Sequence, residues 1–204
     1  MVQGFLEGLV IGFSIAAPVG PIGLLCIQRT LNYGRRAGLV SGLGAATADA
    51  TYASIAGFGV TFVSSFLVNE QLWIRLLGGA FLILLGLRTF LSVPRDSTVS
   101  EGRKRLANDY ASTFALTLSN PLTIVSFVAV FTGLGILGQA RDYWAATELV
   151  TGVFAGSTLW WIVLSTGVGS LKGKVSPGRM RWVNRLSGAV IAGFGVVAIL
   201  SLVL

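Results

Sequence analysis

The stretch Ala17-Pro18-Val19-Gly20-Pro21-Ile22-Gly23 interrupts a hydrophobic run that extends from Gly4 to about Leu31. About 20 apolar residues, at roughly 1.5 Å of rise each, cover the hydrocarbon core of a bilayer, so the run is long enough to span one. Its centre cannot be ordinary helix. Pro18 and Pro21 lack the N–H that would bond the carbonyls of Ser14 and Ala17, and each ring crowds the preceding turn. Backbone groups freed inside a membrane are tolerated only where neighbouring helices, water or a cavity satisfy them. The stretch therefore predicts two half-helices with an unwound joint, a plain proline kink being the simpler alternative.

The rest of the chain agrees with a membrane setting. A mean hydropathy of +0.79, with 53% hydrophobic and 11% charged residues, points to a multi-pass membrane protein. The net charge of +7 would suit a nucleic-acid binder, but no basic helix or aromatic–basic interleaving accompanies it, so no nucleic acid is expected. The start, Met1-Val2-Gln3-Gly4, lacks the cationic region of a secretory signal. The lone Cys26 excludes an internal disulfide and a two-thiol relay. With no histidine, the commonest transition-metal ligand and the usual proton switch are both missing. No metal and no cofactor is expected.

Six apolar segments stand out, at roughly 4–31, 38–66, 72–91, 111–137, 145–169 and 182–203. Arg29, Arg35 and Arg36 border the first connection, five cations from Arg88 to Arg105 the third, and five from Lys172 to Arg185 the fifth. Only Arg75 and Arg141 lie near the second and fourth. The positive-inside rule then makes the odd-numbered connections cytoplasmic and turns both termini outward. Trp73, Tyr143, Trp144 and Trp182 fall at segment ends, where interfacial aromatics belong.

Residues 95–109 form the one sizeable polar linker, expected as a solvated cytoplasmic loop. It divides a first repeat (about 1–92) from a second (about 110–204) within a single transmembrane domain, the linker taken as about 93–109. Gly42, Gly57 and Gly59 recur at Gly152, Gly167 and Gly169, and Arg75-Leu76-Leu77-Gly78 recurs as Arg185-Leu186-Ser187-Gly188, always 110 positions on. Ala17-Pro18 aligns with Asn120-Pro121 at an offset of 103. Three spans per half is an odd number, so the halves would be inverted relative to each other. The expected fold is thus all-α, with six transmembrane helices in two inverted three-helix repeats and broken first and fourth helices. Secondary transporters use this plan to bring broken helices to a central site.

Asp49 is the sharpest single residue. It lies about 11 residues, or roughly 16 Å, inside the second span, near the midplane, where an acid is a functional hypothesis by default. The small residues from Gly42 to Ala48 leave room for close helix approach. Asn120-Pro121 lies about 15 Å inside the fourth span, where Pro121 frees the Thr117 carbonyl and Asn120 adds a carboxamide. Ser119, Thr117, Thr123 and Ser126 supply further polar atoms. Glu7, near the outer end of the first span, is either a headgroup-level residue or an outer proton site. Tyr52 shares a helix face with Asp49 and can hydrogen-bond it or simply pack. The i+4 stripes Gly4/Gly8/Gly12/Ala16 and Gly152/Gly156 read as packing faces. Trp160 and Trp161 have no evident chemical role.

Three motifs together, Ala-Pro-Val-Gly-Pro at 17–21, Gly-Leu-Gly-Ala-Ala-Thr-Ala-Asp-Ala at 42–50 and Ser-Asn-Pro-Leu-Thr at 119–123, resemble the LysE-type translocator family of amino-acid exporters. The likeness extends over nearly the whole chain. It implies a multi-pass protein of the bacterial inner membrane that exports amino acids or close derivatives, driven by the proton gradient or membrane potential. By that likeness Pro18, Gly20, Pro21, Asp49, Asn120 and Pro121 carry over as site residues. Many members have a polar pair after the Pro-x-Gly-Pro motif where this chain has Ile22-Gly23, so their substrate preferences do not transfer.

A zwitterion suits these residues. The half-helix opening near Ile22 would aim free N–H groups at a carboxylate. The freed carbonyls of Ser14 and Ala17, with ionised Asp49, would receive an ammonium group. Asp49 can alternatively carry an exchanged proton, and the broken helices suit rocking of one half against the other. The substrate, protons and the lipid bilayer are the expected partners, and the small-residue faces are compatible with a homodimer. A divalent metal-cation exporter is the alternative, though it would want several midplane carboxylates. An enzyme is not expected, because no histidine stands beside a nucleophile.

Overall fold

A computed structural model of the chain describes residues 2–18, 20–58, 71–91, 99–133, 143–171 and 177–200. The described residues are all-helical: α1 (Val2–Ala16), α2 (Pro21–Tyr33), α3 (Arg35–Gly57), α4 (Gln71–Leu91), α5 (Val99–Leu118), α6 (Pro121–Gly133), α7 (Tyr143–Gly169) and α8 (Pro177–Leu200). The first and fourth hydrophobic segments are broken where the prolines stand. The chain bends by 79° between α1 and α2 and by 57° between α5 and α6. Pro21 and Pro121 each open the second helix of their pair, where a missing N–H costs nothing and the fixed φ is already helical. Gly34, at φ 98°, makes the one-residue joint between α2 and α3, a left-handed conformation that favours glycine.

Among the described residues α7 alone is long and apolar enough to cross a membrane, and each bent pair meets the same standard when taken as one span. α3, α4 and α8 do not meet it. In α3 the reason is composition, since glycine, alanine and threonine replace larger apolar residues.

Those small residues are spent on close packing. The stripes on α1 and α7 meet each other: a methyl group at Gly12 would fall on the Val153 carbonyl, and one at Gly156 on the Leu9 carbonyl. A second seam joins α4 to α8, where a Cβ on Gly195 would stand 2.6 Å from the Gly79 oxygen and one on Gly86 2.6 Å from the Gly188 oxygen. α3 packs on both α5 and α7, with Gly44 against the Tyr110 carbonyl and Gly42 against the Trp161 side chain. Backbones approach this closely only where no side chain intervenes.

Two expectations need correction. Residues 99–109 are not a loop but the opening turns of α5. Arg29, counted among the loop cations, is buried at 5% exposure. The two facts are linked. The Arg29 Nε lies 3.3 Å from Asp109 Oδ1, and its Nη1 donates to Ser41 Oγ (2.9 Å), the Asp109 carbonyl (2.8 Å) and Thr113 Oγ1 (2.7 Å). Nη2 donates to Ser112 Oγ at 2.8 Å. An arginine with acceptors on two neighbouring helices can be buried, and its carboxylate partner lies within the helix that replaces the expected loop. Arg105, one turn earlier, lies over the Tyr33 ring at 4.1 Å from its centroid. Near this layer the Asn184 carboxamide oxygen accepts from Asn32 (2.7 Å) and Gln28 (3.3 Å), tying α2 to α8.

Gly59, in the glycine register, and the outer part of the second apolar segment up to residue 66 lie outside the described residues. The same holds for Val19 in the first motif, residues 92–98 of the linker and residues 134–137 of the fourth segment.

Candidate functional site

A cavity of about 310 Å³ opens where the two breaks face α3 and α7. That is the small end of the range for ligand pockets, roughly 300–1,000 Å³. Pro18, Gly20, Pro21 and Ile22 from the first break, Asp49 from α3, and Asn120 from the second break all line it. Gly23, Thr117, Thr123 and Ser126 add to the same wall. Ile15, Trp161 and Phe194 form its bulky apolar part.

Asp49 is 3% exposed, and the Ser157 hydroxyl donates to its Oδ2 at 2.7 Å. The Trp161 indole N–H in turn donates to Ser157 Oγ at 3.2 Å. Both residues lie on α7 one turn apart, so a single helix face orients the carboxylate and walls the cavity. Sequence reasoning missed Ser157 and gave Trp161 no role. The available signal was position: Ser157 follows Gly156, on the face that packs closely, and Trp161 is one turn further on.

At the second break Asn120 Nδ2 donates to Thr123 Oγ1 at 3.0 Å, and the Asn120 carbonyl accepts the Ile124 amide at 3.2 Å. Asn120 thus stands at the head of α6. The Thr117 carbonyl, expected to be free, accepts the Asn120 amide at 3.3 Å as the last turn tightens. Tyr52 does not bond Asp49. Its hydroxyl donates to the Leu118 carbonyl, a group that the break leaves without a helical partner.

At the first break α2 begins at Pro21, so the amides of Ile22 and Gly23 have no carbonyl four residues back within their helix. Gly20 has φ −95° and ψ −163°, open to any residue, and a Cβ there would meet nothing within 4 Å. What glycine supplies at this point is open space.

Not every expected residue reaches the cavity. The Ser14 side chain is exposed and Ala17 is absent from the wall, because the last turn of α1 presents Ile15 and Ala16 instead. Neither Ser14 nor Ala17 is among the lining residues. Glu7 is half-buried on α1 nearly three turns from the break and is not part of the wall. Pro121 heads α6 beside Asn120. Among the described residues no group of three or more His, Cys, Asp or Glu side chains is arranged to hold a metal ion.

The family model for the LysE type translocator matches residues 13–202. The chain belongs to the LysE type translocator family. Within that setting it is 28% identical over 197 residues to the "Putative amino acid efflux protein YcgF" of Bacillus subtilis (strain 168), covering 94% of this chain and 92% of that protein. It is 29% identical over 182 residues to the "Uncharacterized membrane protein YahN" of Escherichia coli (strain K12), covering 83% of this chain and 77% of the relative. No solved structure matches the chain. Family membership and these relatives point to a membrane-embedded translocator rather than an enzyme.

Proposed function

We propose that this translocator exports amino acids or close derivatives from the cytoplasm across a bacterial inner membrane, coupled to the proton gradient or the membrane potential. The observation that carries this reading is the convergence of both proline breaks and one buried carboxylate on a single cavity. The name of the Bacillus relative supports the substrate class.

An amino acid bound there sets its ammonium group against Asp49 and its carboxylate against the amides of Ile22 and Gly23 at the start of α2. A proton and an ammonium compete for the Asp49 carboxylate, so one group serves binding and coupling in turn. Glu7 is a second, outer proton site in this scheme.

The proposed architecture is six spans in two inverted repeats. In its support, exchanging the first, second and third spans for the fourth, fifth and sixth turns the α1–α7 packing into the α5–α3 packing. The same exchange maps the α3–α7 and α4–α8 pairs onto themselves. With the basic connections cytoplasmic, the Arg29–Asp109 layer stands between the cavity and the cytoplasm, since Ser41 precedes Asp49 by about 12 Å of helix.

The test is Asp49→Asn in proteoliposomes loaded with a radiolabelled amino-acid panel. Gradient-driven efflux is expected to vanish while membrane insertion and yield are unchanged. Near-normal efflux from the variant would remove Asp49 from the mechanism.

A further inference from the structure

The charges around the cavity limit what side chain a bound amino acid can carry. Among the described lining residues Asp49 is the one carboxylate, and there is no lysine or arginine. Arg29, a basic side chain that comes inward, is already engaged by Asp109, Ser41 and Thr113. The polar wall formed by Asp49, Asn120 and Thr123 can satisfy one ammonium and, with the α2 amides, one carboxylate. Ile15, Ile22, Trp161 and Phe194 remain for everything else.

We infer that the cargo is a neutral amino acid with an apolar side chain of leucine to phenylalanine size, and that Phe194 and Trp161 set this preference. The inference rests on the exporter reading above and narrows it. A lysine side chain would bring a second ammonium to a site whose single carboxylate is taken. A glutamate side chain would bring a second carboxylate with no cation to meet it. Removing either charge from water without a partner is strongly unfavourable, so each should be disfavoured by about tenfold or more. An apolar side chain instead packs against Trp161 and Phe194 and gains by leaving water.

Two measurements on the purified full-length protein test this. Thermal protection in detergent by leucine, phenylalanine, lysine and glutamate reads binding without transport. Efflux of the same four and of alanine from proteoliposomes reads transport. Leucine and phenylalanine are expected to protect and to move at least tenfold faster than lysine or glutamate. Phe194→Ala should lower the phenylalanine-to-alanine rate ratio, and Phe194→Glu should raise the relative rate of lysine. Equal protection by lysine or glutamate in the unmutated protein would overturn the inference whatever the variants do. Protection by leucine with no gradient-dependent flux would uphold the selectivity and instead sink the exporter reading. Absence of both protection and flux for all four would overturn both.

Discussion

Removing the Arg29 guanidinium should cost more than removing any exposed cation, and the structure says how much. Its carboxylate partner is 6% exposed at the side chain, and Arg29 itself 7%, so neither charge can turn to water when the other is lost. Breaking such a pair from one side costs about 3–5 kcal/mol, because an uncompensated charge stays behind. Arg29→Met should therefore lower the unfolding free energy by about 3–5 kcal/mol, and Asp109→Leu by a similar amount. Combining them should recover most of the loss, since a well-packed apolar pair is often as stable as the ion pair it replaces. Two of the three hydroxyls that Arg29 leaves keep acceptors of their own: Ser112 Oγ donates to the Asn108 carbonyl at 2.6 Å and Thr113 Oγ1 to the Asp109 carbonyl at 2.7 Å. Denaturant titration of the detergent-solubilised protein, read as a double-mutant cycle, measures the coupling. A loss under about 1 kcal/mol for Arg29→Met, or a double variant no better than the sum of the singles, would refute the assignment of a buried, mutually dependent pair.

Other substitutions probe single contacts. Gly193→Ala should stabilise α8 by about 0.5–1 kcal/mol, because nothing lies within 4 Å of the added methyl and alanine is the better helix former. Two positions on, Gly195→Ala should destabilise instead, since its methyl meets the Gly79 carbonyl; parallel unfolding curves for the two variants would expose an error in the helix phase. Tyr52→Phe should cost about 0.5–1.5 kcal/mol by stripping the Leu118 carbonyl of its donor, and an unchanged unfolding midpoint would show that another group takes over.

The proline breaks were legible in the sequence because proline acts on its own backbone: Pro18, Pro21 and Pro121 dictate the joints without reference to any other part of the chain. The glycine stripes were legible as faces, though not as partners, since periodicity reveals that Gly8, Gly12, Gly152 and Gly156 are presented together but not to what. Asp49 stood out because an acid among apolar residues has no local reason to exist. Arg29 and Asp109 were misread for the converse reason. Each lies near the end of an apolar segment, where charge usually means solvent, and only the meeting of α2 with α5 reveals that they cancel. Ser157 and Trp161 were hidden because a serine and a tryptophan are unremarkable in a membrane helix until one faces a carboxylate.

The glycine seams decide which parts of the fold can shift. Helices from before and after residues 92–98 are interleaved, α1 lying on α7, α3 on α5 and α7, and α4 on α8. Swinging the two chain halves past each other would unzip all of these backbone-close junctions at once, so the rocking expected from the repeat alone does not suit this arrangement. α2 and α6 take no part in these seams, and they are the helices that begin at the two breaks.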